Sequence, residues 1–245
     1  LGSVIFGLGG YSWAVLLMGF FITSSLFSRM FRKRKAGLGE KFSKGSDRDA
    51  GQVLANGGVA GLLVLLAKLF PQQNWVWLAF AASLAAVNAD TWATELGTLS
   101  PTLPRLITSF RQVEKGTSGA VSLVGTLFAA GGALWIACLA VLPWQEHPLN
   151  YAPRLIFSRL LLITVAGVFG SLVDSLLGAT IQAIYTCPTC QKETERHPFH
   201  TCGTPTSLAR GWHWLNNDWV NTFCGLSAAL IVAVIAWAVP QWFGL

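Results

Sequence analysis

Charge is scarce in this chain. Only 11% of its 245 residues are charged while 53% are hydrophobic, whereas soluble domains carry roughly 25% charged residues. The bilayer is therefore the expected solvent. Internal repeats and low-complexity tracts are also missing, which leaves a single domain, 1–245. The chain opens at Leu1 inside an apolar stretch that lacks the short positively charged leader of a cleavable signal. Upstream residues, including a further helix, are expected before it.

Apolar stretches recur at the length that crosses a bilayer core, about 20 residues. Six are read, at about 4–28, 52–70, 74–98, 118–142, 156–183 and 219–243. The expected fold class is all-α, a polytopic membrane bundle of about six transmembrane helices. Abundant Gly and Ala suit close helix packing in lipid. Pro71-Gln72-Gln73 is a tight turn, so the second and third segments form a helical hairpin.

The 17 Lys and Arg residues give a formal net charge of +6, and their placement argues topology rather than nucleic-acid binding. Eight lie in the 29–50 connection, and three each in the third-to-fourth and fifth-to-sixth connections. The other face keeps Lys68, Arg154 and Arg159, so the distribution is 14 against 3. By the positive-inside rule the basic face is cytoplasmic and both termini face outward. A prokaryotic-type inner membrane with a cytoplasmic active face is expected. The partners implied are membrane lipids and phosphorylated ligands, not nucleic acid.

Acidic residues within apolar segments are costly unless paired, hydrated or bound to a cation. Asp90, Glu95 and Asp174 qualify, with Asp218 at a segment border. The topology brings all four near the cytoplasmic ends of their helices, which is the main internal argument for one site. Gly167, Ser171, Asp174, Gly178 and Gln182 share a helix face, and the small residues are expected to leave room beside the carboxylate. Asp218 and Asn217 each share a face with Asn221. Carboxylates beside Asn side chains without a nearby His suit Mg²⁺, giving Asp90, Glu95, Asp174, Asn217, Asp218 and Asn221 as candidate ligands. The alternative is a set of caps and packing residues.

Lys115-Gly116-Thr117-Ser118-Gly119 lies where the fourth segment is expected to begin. Free N–H groups and the helix dipole there favour an anion; the plainer alternative is an N-cap by Thr117 or Ser118. The loop 184–216 holds Cys187-Pro188-Thr189-Cys190, His197, His200 and Cys202. Cys187, Cys190, His200 and Cys202 suit a closed, structural Zn²⁺ site, with His197 as a rival ligand. A redox-active CxxC is the alternative. Cys138 and Cys224 are read as packing residues, and the Trp residues as interface belts or core.

Several blocks in order resemble the phytyl-phosphate kinase family of integral membrane proteins. They are Asp47 to Gly57, Asn88 to Glu95, Lys115 to Gly119, Asp174 to Ala179 and Asn217 to Asn221. The order of Asp90-Thr91-Trp92-Ala93, a gap and Lys115 to Gly119 is also similar to the nucleotide-binding region of CTP-dependent dolichol and phytol kinases. The resemblance implies transfer of a phosphoryl group from a nucleoside triphosphate, CTP or ATP, to an isoprenyl monophosphate in the membrane. Asp90, Asp174 and Asp218 would hold Mg²⁺, with Asn56, Asn88, Asn217 and Asn221 supporting. Lys115 and the Gly116–Gly119 amides would take the triphosphate, Lys44 and Arg48 the acceptor phosphate, and Ser175 and Gln182 would line the substrate. The rival class is a transporter or scramblase of phosphorylated lipids or ions, which would spread polar residues through the membrane depth.

Overall fold

A computed structural model describes residues 1–31, 49–144 and 152–243. Among the described residues, seven α-helices follow one another: α1 (Gly2–Gly9), α2 (Tyr11–Met30), α3 (Ala50–Leu69), α4 (Trp75–Gly97), α5 (Leu123–Ala140), α6 (Pro153–Thr180) and α7 (Asn217–Ala238). A short hairpin, β1 (Arg105–Leu106) with β2 (Ala120–Val121), joins α4 to α5. Three strands, β3 (Ile184–Cys187), β4 (Lys192–Thr194) and β5 (Ser207–Arg210), lie between α6 and α7 and pair antiparallel in the order β4-β3-β5.

The polytopic bundle expected from hydropathy is present. Five helices, α2, α3, α5, α6 and α7, are long and apolar enough to cross a membrane. The sixth long helix, α4, has 23 residues and spans about 35 Å at 1.5 Å per residue. It forms the core: every residue from Val76 to Ala89 is buried, and it touches α2, α3, α5, α6 and α7. Its alanines let five neighbours approach closely, as packing in lipid requires.

Segment limits differ from the expectation where caps and turns override hydropathy. The first stretch is not one span: it breaks at Gly9-Gly10, where the Trp13 side chain fills the space a residue larger than Gly9 would need. The fourth helix starts at Leu123, not at 118, because Ser122 is its cap and accepts from Gly125 N at 3.0 Å. The last helix starts at Asn217 under an Asn216 cap, which accepts from the N–H groups of Asp218 and Trp219. It stops at Ala238, followed by a 3-10 turn over Pro240–Trp242.

Arg159, one of the three basic residues at the end opposite the basic connections, is only 1% exposed. Its Nε and Nη2 donate to the Phe243 carbonyl at 2.9 and 2.6 Å. The position falls inside α6, so the cation finds a backbone acceptor of the C-terminal turn instead of water.

Exposed aromatic residues mark two levels along the bundle. Trp212 stacks on Trp214, which meets Trp219 edge-on, all exposed, at the end carrying the strands. Trp237 and Trp242 are exposed at the other end, with Arg154 over the Trp242 ring at 5.9 Å. Along α7, Trp219 and Trp237 are about 27 Å apart at 1.5 Å per residue, close to the roughly 30 Å of a hydrocarbon core. Such belts sit at membrane–water boundaries.

Candidate active site and metal ribbon

Alternating helix direction places the C-terminal ends of α2, α4 and α6 beside the N-terminal ends of α3, α5 and α7. Asn56, Asp90, Asp174 and Asn221 each lie within about 6–10 Å of those ends, counting 1.5 Å per residue. Asp90 and Glu195 lie close enough to Asp174 for their charges to act on it. The buried Cys224 thiol lies within reach of both aspartates. Asp174 Oδ2 is sealed from solvent and accepts no hydrogen bond from any described residue.

Close helix packing produces this convergence. A Cβ at Gly167 would stand 2.9 Å from Ala85 Cβ and 2.8 Å from Ala133 Cβ, and one at Gly170 would stand 2.5 Å from Ala86 Cβ and 2.7 Å from the Cys224 carbonyl. The expectation that small residues of α6 leave room beside the carboxylate is therefore corrected. At Gly167 and Gly170 that room is taken by α4, α5 and α7, which is how Asp90 and Asp174 come within electrostatic reach. Ser171 is buried and Ser175 half-buried on the same helix.

Glu95 lies farther along α4 than Asp90. Five residues separate it from Asp90, about 140° around a helix at 3.6 residues per turn. Its Oε1 accepts from Ser28 Oγ of α2 at 2.8 Å. Asn88, two turns earlier on the same face, donates to the Gly132 carbonyl at 2.8 Å and accepts from Thr23 Oγ1 at 3.3 Å. These two residues tie α4 to α2 and α5. Asp218 occupies the first turn of α7, and Asn217 and Asn221 are half-buried beside it, as is Asn56 on α3. Lys44 and Arg48 lie outside the described residues.

The loop Lys115 to Gly119 is not the start of a helix, contrary to expectation. It belongs to the β1–β2 hairpin, with Thr117 N bonded to the Glu114 carbonyl at 3.2 Å and Ile107 N to the Gly119 carbonyl at 3.0 Å. The capping alternative at Thr117 or Ser118 is corrected as well, since Ser122 is the cap. Lys115 Nζ donates to the carbonyls of Thr98 and Ser100 at 3.0 and 2.6 Å, strapping the loop to the end of α4. Gly119 sits directly on the Ala179 backbone of α6.

Ser118 Oγ then donates to Glu195 Oε1 at 2.7 Å, and Gln182 Nε2 donates to the same oxygen at 2.9 Å. Gln182 follows the end of α6 at Thr180 and donates to Glu195 beyond β4. A cleft of about 740 Å³ opens between the loop and the strands, lined among others by Lys115, Thr117, Ser118, Lys192, Glu195 and Arg210. Its size matches a small-molecule site. Sequence reasoning missed Glu195 because the search for costly carboxylates covered apolar segments only.

The Cys/His loop folds as a ribbon. Cys187 ends β3 and Cys190 follows in the turn to β4, while His200 and Cys202 come from the β4–β5 connection. The four ligand atoms lie within 4.8 Å of one another. Cys187 Sγ and Cys202 Sγ are 3.5 Å apart, and His200 Nδ1 is 3.2 Å from Cys202 Sγ. Tetrahedral ligands at Zn–S distances of about 2.3 Å would stand about 3.7 Å apart, so the cluster can hold a metal such as zinc. His197 is not a ligand: it stacks on Tyr185 at 4.4 Å and faces His213. The Thr204 hydroxyl, followed by the His200 ring, pushes the Cys202 thiol down to about 5. Hydrogen bonding to Cys202, with burial, pushes Cys190 up to about 11. Among the lone cysteines, Cys138 is exposed on α5, whereas Cys224 is buried in the core as expected, where the charges of Asp174 and Asp90 also act on it.

Comparison with known proteins follows the same lines. A family described as integral membrane protein DUF92 matches residues 1–239. The chain is 35% identical over 241 residues to Protein PGR of Arabidopsis thaliana, covering 92% of this chain and 82% of that protein. It is 36% identical over 185 residues to an uncharacterized membrane protein of Methanocaldococcus jannaschii, covering 74% and 70% of the two. Protein VTE6, chloroplastic, of Arabidopsis thaliana is 25% identical over 242 residues, 96% of this chain and 61% of that protein. No solved structure matches the chain.

Proposed function

The chain belongs to the DUF92 family of integral membrane proteins, and from its site we propose that it is a phosphotransferase working at one membrane surface. It converts an isoprenyl, phytyl-like monophosphate to the diphosphate, using a nucleoside triphosphate and Mg²⁺. The observation that carries this reading is that Glu195, which together with Asp90 acts electrostatically on Asp174, also lines a cleft that holds Lys115, Lys192 and Arg210 among further carboxylates. The likeness of the signature blocks to phytyl-phosphate kinases supports an isoprenyl acceptor.

Phosphoryl transfer needs positioning and charge neutralisation more than covalent chemistry. Mg²⁺, when bound, neutralises charge on the transferring phosphoryl group. An acceptor phosphate oxygen attacks the terminal phosphorus of the triphosphate, the bond to the bridging oxygen breaks, and the nucleoside diphosphate leaves with that electron pair. The acceptor is already anionic at neutral pH, so no protein base is required. Asp90 and Asp174 hold Mg²⁺, with Asp218, Asn217, Asn221 and Asn56 lining the approach from α7 and α3. The cleft between Lys115–Ser118 and the ribbon takes the donor phosphates, with Lys115 fixing the loop and Lys192 and Arg210 supplying positive charge. Lys44 and Arg48 meet the acceptor phosphate, and the isoprenyl tail lies in lipid along Leu172 and Leu176 of α6, both exposed. The Cys₃His ribbon holds a structural zinc. The 14-to-3 distribution of basic residues supports a cytoplasmic site in an inner membrane with both termini outside.

The test is transfer of label from γ-labelled CTP or ATP to phytyl, geranylgeranyl or farnesyl monophosphate by purified protein in detergent with Mg²⁺, with Asp174→Asn as control. Labelled diphosphate that disappears in the variant is expected. Absence of transfer with every pair, from folded protein, would overturn the kinase reading and favour transport of phosphorylated lipids.

A further inference from the structure

Glu195 acts on Asp174 from outside the helices. It follows β4 directly, and β4 pairs with β3 in a register that sets Tyr185 opposite Thr194 and Cys187 opposite Lys192. Glu195 is thus one residue beyond a strand whose partner ends in the first cysteine of the metal cluster. The stretch around it is fixed: Arg196 N donates to Thr194 Oγ1 at 3.1 Å, and Thr206 Oγ1 donates to the Arg196 carbonyl at 3.0 Å. Ser118 and Gln182 both donate to Oε1, so the hairpin loop, the end of α6 and the ribbon meet on this one side chain. Arg210 of β5 adds a second tie, donating to the Gly178 carbonyl at 3.0 Å.

Asp90 and Glu195 both act on Asp174, and carboxylates gathered in this way at the edge of a low-dielectric region are costly unless a cation neutralises them. A second observation points to a ligand. Asp174 Oδ2 is sealed from solvent yet accepts no hydrogen bond from any described residue, an arrangement that carries a desolvation penalty when nothing is bound. Hard carboxylate oxygens without a neighbouring imidazole select a divalent cation of the Mg²⁺ class.

We propose that Glu195 is the third carboxylate of a divalent-cation site formed with Asp90 and Asp174, and that metal in the Cys₃His ribbon governs that site by holding Glu195 in position. The proposal rests on the cation site of the preceding section but not on the phosphoryl chemistry. One metal thereby sets the affinity for another: loss of the ribbon metal loosens the β3–β4 turn, and Glu195 is withdrawn from the aspartates.

The probe is Mn²⁺, read by electron paramagnetic resonance on the full chain in detergent, without nucleotide or lipid. Wild-type protein binds one Mn²⁺ at the site, and Asp174→Asn abolishes it. Glu195→Gln weakens binding at least about tenfold, whereas Glu193→Gln, which removes the same charge from an exposed neighbour, leaves it unchanged. Protein carrying Cys187→Ser and Cys202→Ser shows a loss comparable to that of Glu195→Gln. Equal affinity in Glu195→Gln and wild type, with Asp174→Asn still inactive in binding, would overturn the role of Glu195 and leave the cation site standing. Equal weakening by Glu193→Gln would reduce the effect to net charge and also overturn it. If wild-type protein binds no Mn²⁺, the cation site itself falls, and with it the metal step of the proposed reaction. Unchanged affinity in the double cysteine variant would overturn the control exerted by the ribbon.

Discussion

Replacing Gly119 by alanine tests the packing that brings the loop to α6. Gly119 has φ +79°, and a Cβ there would stand 2.5 Å from both Ala179 Cα and Cβ and closer still to its nitrogen. The neighbour is helix backbone, which cannot rotate away. A non-glycine residue in this left-handed conformation costs about 1–2 kcal/mol, and forcing a methyl group into filled space adds about 1–3 kcal/mol. The total is about 2–5 kcal/mol. Gly203→Ala separates the two parts, since Gly203 has φ +82° but nothing within 4 Å of the added methyl. That variant should lose only about 1–2 kcal/mol. At roughly 2–4 °C per kcal/mol for a chain of this length, Gly203→Ala should lower Tm by roughly 2–8 °C and Gly119→Ala by roughly 4–20 °C. Thermal scans in one detergent at one rate compare the two fairly, because such unfolding is commonly irreversible. Gly119→Ala should also break the bond between Ser118 and Glu195 and so depress Mn²⁺ affinity. Equal Tm losses in the two variants would refute the contact between the loop and α6.

Glu95→Gln should leave phosphoryl transfer within about twofold of wild type while Asp90→Asn abolishes it, because Glu95 faces Ser28 and an amide oxygen can accept the same bond; a loss in Glu95→Gln as deep as in Asp90→Asn would return Glu95 to the site. Purified protein should contain one zinc, retained in His197→Ala and lost in His200→Ala, as metal analysis would read. After the zinc is stripped, iodoacetamide should modify Cys202 first. Its thiol is pushed down to about 5, so the reactive thiolate persists from neutral pH down to that range and disappears below it, whereas Cys190, pushed up to about 11, reacts only in alkali. Uniform labelling of the cysteines at neutral pH would contradict this. Arg159→Met should cost about 1.5–3 kcal/mol, since the Phe243 carbonyl loses its charged donors; an unchanged Tm and unchanged protease resistance of the C-terminal turn would show that the contact contributes nothing.

Much of the bundle was legible because hydropathy and helix length are local properties. The hairpin at Pro71-Gln72-Gln73, the depth of Asp90 and Asp174, and the set Cys187, Cys190, His200 and Cys202 follow from spacing alone. Other features depend on which surfaces meet. The break at Gly9-Gly10 is invisible to an average over apolar residues. The enclosed position of α4 comes from its neighbours, not from its own composition. Lys115 to Gly119 reads like a phosphate loop at a helix start, but Ser122, three residues on, is the better cap, and the intervening chain pairs as a hairpin. Glu95 and Asp90 present different faces of α4, since five residues turn a helix by about 140°. Glu195 left no local signal, because its surroundings are created by a ribbon folding back onto the membrane helices.

The central claim, a cation held by Asp90 and Asp174 beneath a triphosphate cleft, is tested most directly by an experimental structure solved with Mn²⁺ and a non-hydrolysable nucleoside triphosphate, with anomalous scattering collected at the manganese edge. The account predicts an anomalous peak between Asp90 and Asp174 and triphosphate density in the cleft between Lys115–Ser118 and the ribbon. A peak elsewhere, or a triphosphate bound away from that cleft, would contradict it.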